Sequence, residues 1–217
     1  MHDPSALREL AVHAARETGA LLRHHAERGL RGLDTKSTAT DMVSDADREA
    51  EELLVRILSE ARPDDAILGE EGAGRDGTSG LRWVVDPLDG TTNFVFGYPQ
   101  WAVSVAVEDA EGTLAGAVYD PSRDEMFAAG RGRGTTLNDA RVHVRGTHDL
   151  GQALIATGFG YAAERRAQQA AQVARVIPHI RDIRRGGAAA IDIAWVACGR
   201  LDGYWESGLN AWDWAAG

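Results

Sequence analysis

Asp86 and Asp89 stand three positions apart at the end of the apolar run in WVVDPLDGTTNF, residues 83–94, and Gly90, Thr91 and Thr92 follow them. Two carboxylates about 4 Å apart at a partly buried site repel by about 4 kcal/mol at an effective dielectric near 20, so a cation belongs between them. The nearby donors are oxygens, without histidine or cysteine, which suits Mg²⁺ or Mn²⁺ rather than zinc. Gly90 lets backbone approach a ligand closely, and Thr91, Thr92 and Asn93 can open a helix whose free amides face a phosphate. DPLDG is also sound turn chemistry, so its meaning depends on acids elsewhere in the chain. Two further segments supply them. AILGEEG carries Glu70 and Glu71 out of another short β-like run, and NAWDWAAG sets Asp213 between two tryptophans at a helix start.

Helices and strands must bring these acids together. Asp3 and Pro4 read as an N-cap and first helical residue, with Leu7, Leu10, Ala11, Ala14, Leu21 and Leu22 at helical spacing up to Gly29. Ser44 or Asp45 is expected to cap a second helix, with Asp47 in its first turn and Leu53, Leu54, Ile57 and Leu58 on its buried side. From Ala66 to Val144 short β-type runs alternate with Gly, Asp or Pro turns, which predicts an antiparallel sheet on the two helices. After Gly151 the order is strand ALIAT, a helix over 164–176, strand HIRDIR, helix AAAIDIAWVACG and strand GYWE. This divides the chain into an N-terminal α+β subdomain, residues 1–147, holding most of the acids, and a C-terminal α/β subdomain, 148–217.

At 217 residues and 44% apolar content the chain can bury a sizeable core. A net charge of −10 argues against a nucleic-acid partner. No apolar run reaches membrane-spanning length and MHDPSALREL lacks the features of a signal peptide, so a cytoplasmic protein without a membrane partner is expected. The single cysteine, Cys198, falls in an apolar helical stretch and reads as a packing residue. His24 and His25 diverge by about 100° on a helix and make a poor chelate. GRGRGTTLN, residues 130–138, falls between two β-like runs and reads as a hairpin connection rather than a phosphate loop.

Taken together, KSTATDMVSDADREAE, GEE, DPLDGTTNF, RRGGAAAIDIAWVACGRLDGYWE and WDWAAG resemble the inositol monophosphatase family of magnesium-dependent, lithium-sensitive phosphatases, from the first helix to the last residue. The resemblance implies a layered αβαβα sandwich of the sugar-phosphatase type, with an antiparallel first sheet and a mixed second sheet. It implies that Glu70, Asp86 and the carbonyl of Leu88 hold one metal, that Asp86, Asp89 and Asp213 hold a second, and that Glu70 also faces a third. Two or three Mg²⁺ ions would then activate a water for direct in-line attack on phosphorus, oriented by Thr92 paired with Asp47, with Lys36 near the metals. Substrate contacts would come from Asp89, Gly90, Thr91, Thr92, Gly187, Ala188, Ala189, Glu206 and Asp213. The implied substrate is inositol monophosphate or a similar small phosphorylated alcohol. Histidinol phosphate, a sugar bisphosphate and a non-catalytic metal-dependent binding role stay open.

An aspartyl-phosphate phosphatase is a poorer fit, because its DxDGT motif needs an acid where this chain has Leu88. In the family the helix opened by WDxAAG leads into further strands of the second sheet. The C-terminal part is therefore expected to be missing here, with Asp213 loosely held and Trp205, Trp212 and Trp214 unusually exposed. A homodimer is expected if the chain is complete.

Overall fold

Leu7, Ala11, Ala14, Ala15, Thr18 and Leu22 recur at three- and four-residue spacing, and all six are buried. They form the inner stripe of α1 (Pro4–Arg31). Its first turn is capped by Asp3, whose Oδ1 accepts the Ser5 N–H at 3.0 Å. The computed structural model describes residues 3–31, 39–72 and 74–217; Lys36 lies outside the described residues. α2 (Ala39–Ala61) starts earlier than the caps at Ser44 and Asp45 suggest. No glycine or proline interrupts the chain from Ala39 to Ala61, so the helix runs through both candidate caps. Asp47 therefore sits in the helix interior, on a buried stripe with Ala46, Ala50, Glu51, Leu54 and Leu58, and its expected place in the first turn is corrected.

Among the described residues the first sheet has eight strands: β1 (Ala66–Gly69), β2 (Gly74–Arg75), β3 (Arg82–Asp89), β4 (Ala102–Asp109), β5 (Gly112–Asp120), β6 (Glu125–Gly130), β7 (Gly134–Leu137) and β8 (Ala140–Val142). Their order is β2-β1-β3-β4-β5-β6-β7-β8. Every neighbouring pair is antiparallel except β1 and β3, which run parallel with Gly69 opposite Val85, so the expectation of a purely antiparallel sheet needs that correction. After β1 the chain turns out to β2 on the sheet edge and returns to the starting end of β3, which aligns the two strands. Both then point their carboxyl ends the same way. GRGRGTTLN is more than the expected connection: residues 131–133 form the tight turn after β6, and Gly134–Leu137 are a strand of their own, β7, before β8.

α1 and α2 cover one face of this sheet around Trp83, Val85, Val103, Val105 and Tyr119. α5 (Ala189–Ala197) and α6 (Ala211–Trp214) cover the other, with Ala190, Ile191 and Ala215 buried against Ala102, Val118, Val84 and Ala106. Beyond them lies a second sheet of β9 (Leu154–Thr157), β10 (Asp182–Arg184) and β11 (Gly203–Trp205), in the order β10-β9-β11. Its three strands are all parallel rather than mixed, because a helix-containing crossover separates each strand from the next. α4 (Ala163–Val176) buries Gln169 alone among its residues and exposes most of the rest. Trp205 and Trp212 are half-buried, and only Trp214 among the C-terminal tryptophans is largely exposed. No helix among the described residues is long and apolar enough to cross a membrane.

Candidate active site

β3 is buried along its length after Arg82 and ends on Asp86 and Asp89, which are 1% and 8% exposed. In a regular strand, residues three apart face opposite sides of a sheet. Here the pairing with β4 slips between Asp86 and Asp89: three steps along β3, from Asp86 to Asp89, match two along β4, from Ser104 to Ala102. Pro87, which cannot donate to the ladder, sits inside this bulge. The bulge turns both carboxylates into one cavity of about 260 Å³. One oxygen of Asp86 accepts the Leu88 N–H at 2.9 Å, and the Leu88 carbonyl accepts the Thr91 hydroxyl at 3.1 Å.

Glu70 follows β1 directly, so the parallel β1–β3 pairing places it beside Asp86 at the carboxyl end of the sheet. Asp213 arrives from α6. Its carboxylate closes a capping box by accepting the Asn210 N–H at 2.6 Å. The Ser104 hydroxyl donates to the Trp212 carbonyl at 3.0 Å, the Thr113 hydroxyl donates to the Ala215 carbonyl at 3.3 Å, and Ala215 is buried. Asp213 is thus held on the sheet, against the expectation that it would be loose.

Glu70, Asp86, Asp89 and Asp213 line the same cavity. Burial pushes Asp86 well above the usual carboxylate range, and Glu70, Asp89 and Asp213 push it further. Glu70 is raised as well, first by burial and then by the charges of Asp213, Glu71 and Glu51. Asp89 is pushed up to about 8, mainly by burial. It is partly relieved because its two oxygens accept the N–H groups of Ala189 and Ala190, at 3.1 and 2.7 Å. α5 has no side-chain cap of its own, so Asp89 caps it from a distant strand. The amides of Ala189 and Ala190 are consequently engaged with Asp89, although the family resemblance put Ala189 among the substrate contacts.

An all-oxygen set of mutually repelling carboxylates fits a hard divalent cation. Each Asp89 oxygen retains a second lone pair beyond its amide bond. No three His, Cys, Asp or Glu side chains among the described residues form a ready-made cage; the acids share a cavity rather than a closed ligand shell.

Asp47 is buried and pushed up to about 7, first by burial and then by Glu71, Glu70 and Glu51. One turn on, Glu51 Oε1 accepts the Glu71 N–H at 3.1 Å and ties α2 to the exit of β1. Thr92 lies exposed in α3 (Thr91–Val95), which is adjacent to α2, and no hydrogen bond joins it to Asp47 among the described contacts. Gly90 precedes α3 at φ +92°, and a Cβ there would stand 3.0 Å from the Gln100 carbonyl oxygen. Gly187 (φ +89°) and Ala188 line the cavity with it. Glu206 lines the opposite wall, accepts the Tyr204 hydroxyl, and lies where a Cβ on Gly158 would be.

Sequence reasoning passed over Asp192, Gln100, Arg165, Arg185 and Asn210. Asp192 is 2% exposed, accepts from Gln100 Nε2 at 3.1 Å, and is pushed up to about 7 by burial and then Glu206. An acid inside the apolar AAAIDIAWVA helix was the available signal. Asn93 donates to the Gln100 and Gly186 carbonyls at 2.6 and 3.0 Å, locking the loop before β4 to the loop before α5.

The chain matches the model of the inositol monophosphatase family over residues 3–217. It is 40% identical to the inositol-1-monophosphatase SuhB of Mycobacterium tuberculosis H37Rv, covering 100% of this chain and 81% of that protein. It is also 40% identical to the Nus factor SuhB of Pasteurella multocida, covering 96% of this chain and 79% of the relative. The crystal structure of the extragenic suppressor protein SuhB from Bartonella henselae superposes with a TM-score of 0.86 at 40% identity, over 97% of this chain and 81% of that one. With acids gathered at the carboxyl ends of β1 and β3 and a family match spanning nearly every residue, the chain belongs to the inositol monophosphatase family, a family of metal-dependent phosphatases.

Proposed function

We propose that the protein is a Mg²⁺-dependent phosphomonoesterase that hydrolyses inositol monophosphate or a similarly small phosphorylated alcohol by direct attack of water on phosphorus. The observation that carries this reading is the convergence of Glu70, Asp86, Asp89 and Asp213, from three separate stretches of chain, on one cavity. These four side chains and the Leu88 carbonyl would hold two or three metal ions. When bound, Mg²⁺ would supply Lewis-acid stabilisation of the phosphoryl charge and make water more acidic.

The remaining work falls to the chain itself. Asp47, raised close to neutrality by its buried acidic surroundings, is suited to take a proton near pH 7, with Thr92 on neighbouring α3 as the hydroxyl that would orient the water. The N-terminus of α3 and the Gly90 turn offer backbone to the phosphate. Glu206 and the Gly187–Ala188 wall would face the alcohol, with Glu206 accepting from its hydroxyls.

Phosphate release from inositol monophosphate, histidinol phosphate, sugar bisphosphates and a nucleoside bisphosphate, with Mg²⁺ and with EDTA, tests the reading. Mg²⁺-dependent release with an inositol phosphate among the best substrates is the expected result. A clear preference for the nucleoside bisphosphate removes the inositol assignment, and no release from any of them removes the phosphatase reading.

A further inference from the structure

α5 presents a smooth face to the first sheet. Its buried side chains are Ala189, Ala190, Ile191, Asp192 and Ala194, so Ile191 is the one large apolar side chain among them. Small side chains give a helix little to interlock with, and packing alone leaves it free to slide by fractions of an ångström. The helix also lacks a side-chain cap of its own. Yet the amides of its first turn meet the Asp89 carboxylate at 3.1 and 2.7 Å, contacts that such a slide would break.

A buried polar pair supplies the missing key. Asp192, one turn along α5 from Ala189, is 2% exposed and accepts from Gln100 Nε2 at 3.1 Å, and Gln100 is itself 5% exposed. Two polar groups taken out of water recover a partner only in the one register that brings them together. Gln100 is a fixed point for that register. Asn93 donates to its carbonyl at 2.6 Å, and Arg123 donates to the Pro99 carbonyl at 2.9 Å while pairing with fully buried Asp120 at 2.6 Å. Asn93 also holds the Gly186 carbonyl at 3.0 Å, where the chain enters α5. The Asp192 N–H donates to the Ala188 carbonyl at 3.1 Å, so the side-chain bond and the amides that meet Asp89 belong to the same helical turn.

We propose that Asp192 is a positioning residue for Asp89: bonded to Gln100, it fixes the first turn of α5 and the two amides that aim the Asp89 carboxylate, and so sets how tightly the cavity holds a divalent cation. The inference rests on the metal-dependent reading of the cavity. The role requires an acceptor oxygen rather than a charge, because the contact is a hydrogen bond from a neutral amide. Asp192 also lines the cavity, so its charge could act there directly, and asparagine separates the two effects.

Mg²⁺ titrations followed by melting temperature compare the wild type with Gln100→Met, Asp192→Ala and Asp192→Asn. Gln100 is not among the described residues that line the cavity, so Gln100→Met removes the bond from behind the wall. The Mg²⁺ concentration that gives half of the full thermal gain is expected to rise about tenfold in Gln100→Met and in Asp192→Ala, and to stay within about twofold of wild type in Asp192→Asn. Combining Gln100→Met with Asp192→Ala should raise it no further, since each removes the same bond. Lower melting temperatures in EDTA with an unchanged half-gain concentration would mean that the bond only stabilises the fold, and would overturn the proposal. An Asp192→Asn variant as impaired as Asp192→Ala would overturn it too, by placing the effect in the charge. Should Asp192→Ala not fold, Gln100→Met against Asp192→Asn makes the same comparison. A wild type that gains no thermal stability from Mg²⁺ removes the metal reading and this inference with it, whereas a wild-type gain that the variants share at the same concentration removes this inference alone.

Discussion

The two walls of the cavity are built to different standards. On one side Asp86 and Asp89 end a strand that is buried on both faces and flanked by β1 and β4. On the other, the loops at residues 158–162 and 206–210 hang on α4, whose only buried side chain is Gln169. Carboxylates proposed to hold cations against mutual repulsion need a mounting that cannot relax, and the eight-stranded sheet with helices on both faces provides it. The side facing the alcohol can be thinner, because selecting one small substrate over another needs only one or two hydrogen bonds. On the proposed function, the division of labour would be a rigid reaction pole and a lightly supported recognition wall.

The largest effect expected from that division is at Asp86. Asp86→Asn should lower Mg²⁺-dependent hydrolysis by about 10³-fold or more while leaving the fold intact, since the amide keeps the shape and loses the charge. Without metal its melting temperature should equal or exceed that of the wild type, because a buried repulsion has been removed. Phosphate release and paired melting curves check both halves. A variant with a tenth of wild-type activity would place the essential charge elsewhere.

A pair of truncations compares the mountings directly. Trp83, on the same strand as Asp86, is fully buried and donates from Nε1 to Asp65 Oδ2 at 2.9 Å. Trp83→Ala should cost about 3–5 kcal/mol in denaturant unfolding. Val173→Ala, on half-exposed α4, should cost less than about 1 kcal/mol. Similar costs at the two sites would erase the contrast.

The reaction pole should also give the metal-free protein an inverted pH dependence. Asp47 and Asp89 lie at about 7 and about 8 in the folded chain, above their ordinary 3.8. Between about pH 4 and pH 8 the folded state holds protons that the unfolded state has released. Stability in EDTA is therefore expected to fall as pH rises through that window, the reverse of a protein whose carboxylates are ion-paired. Saturating Mg²⁺ should remove most of the fall, and at 100 times its Kd it should add about 2.7 kcal/mol of stability at pH 8. Flat EDTA melting temperatures from pH 5 to 8, or no gain with Mg²⁺, would show that the acids are not coupled in the way the cavity implies.

The smallest effect falls on the recognition wall. Gln169→Leu leaves the Gly160 amide and the Ser207 hydroxyl without their partner, at about 1–2 kcal/mol. The expected result is a KM raised several-fold with kcat within about twofold, since the acids sit on another support. A fall in kcat with KM unchanged would mean that the two walls act as one.

Much of the acidic pole is legible in the chain itself. Asp86, Asp89, Glu70 and Asp213 each follow an apolar run or open a helix, and local chemistry of that kind is written in neighbouring residues. The helix over 164–176 is readable for the same reason, whereas strand β7, inside the segment read as a connection, is not. What the sequence could not decide is where distant segments meet. The parallel β1–β3 pairing that brings Glu70 to Asp86 depends on the excursion through β2, and the β3 bulge that turns Asp86 and Asp89 to one side exists only in the pairing with β4. Asp89's hold on the amides of α5, about a hundred residues away, likewise has no local signature. Gln169 looks like an ordinary surface residue of a polar helix until Gly160 and Ser207 are folded against it. Residue type and near neighbours set the charges and the elements that carry them. Which charges face one another is set by chain crossings and strand register, and those are determined by the packing of the whole core.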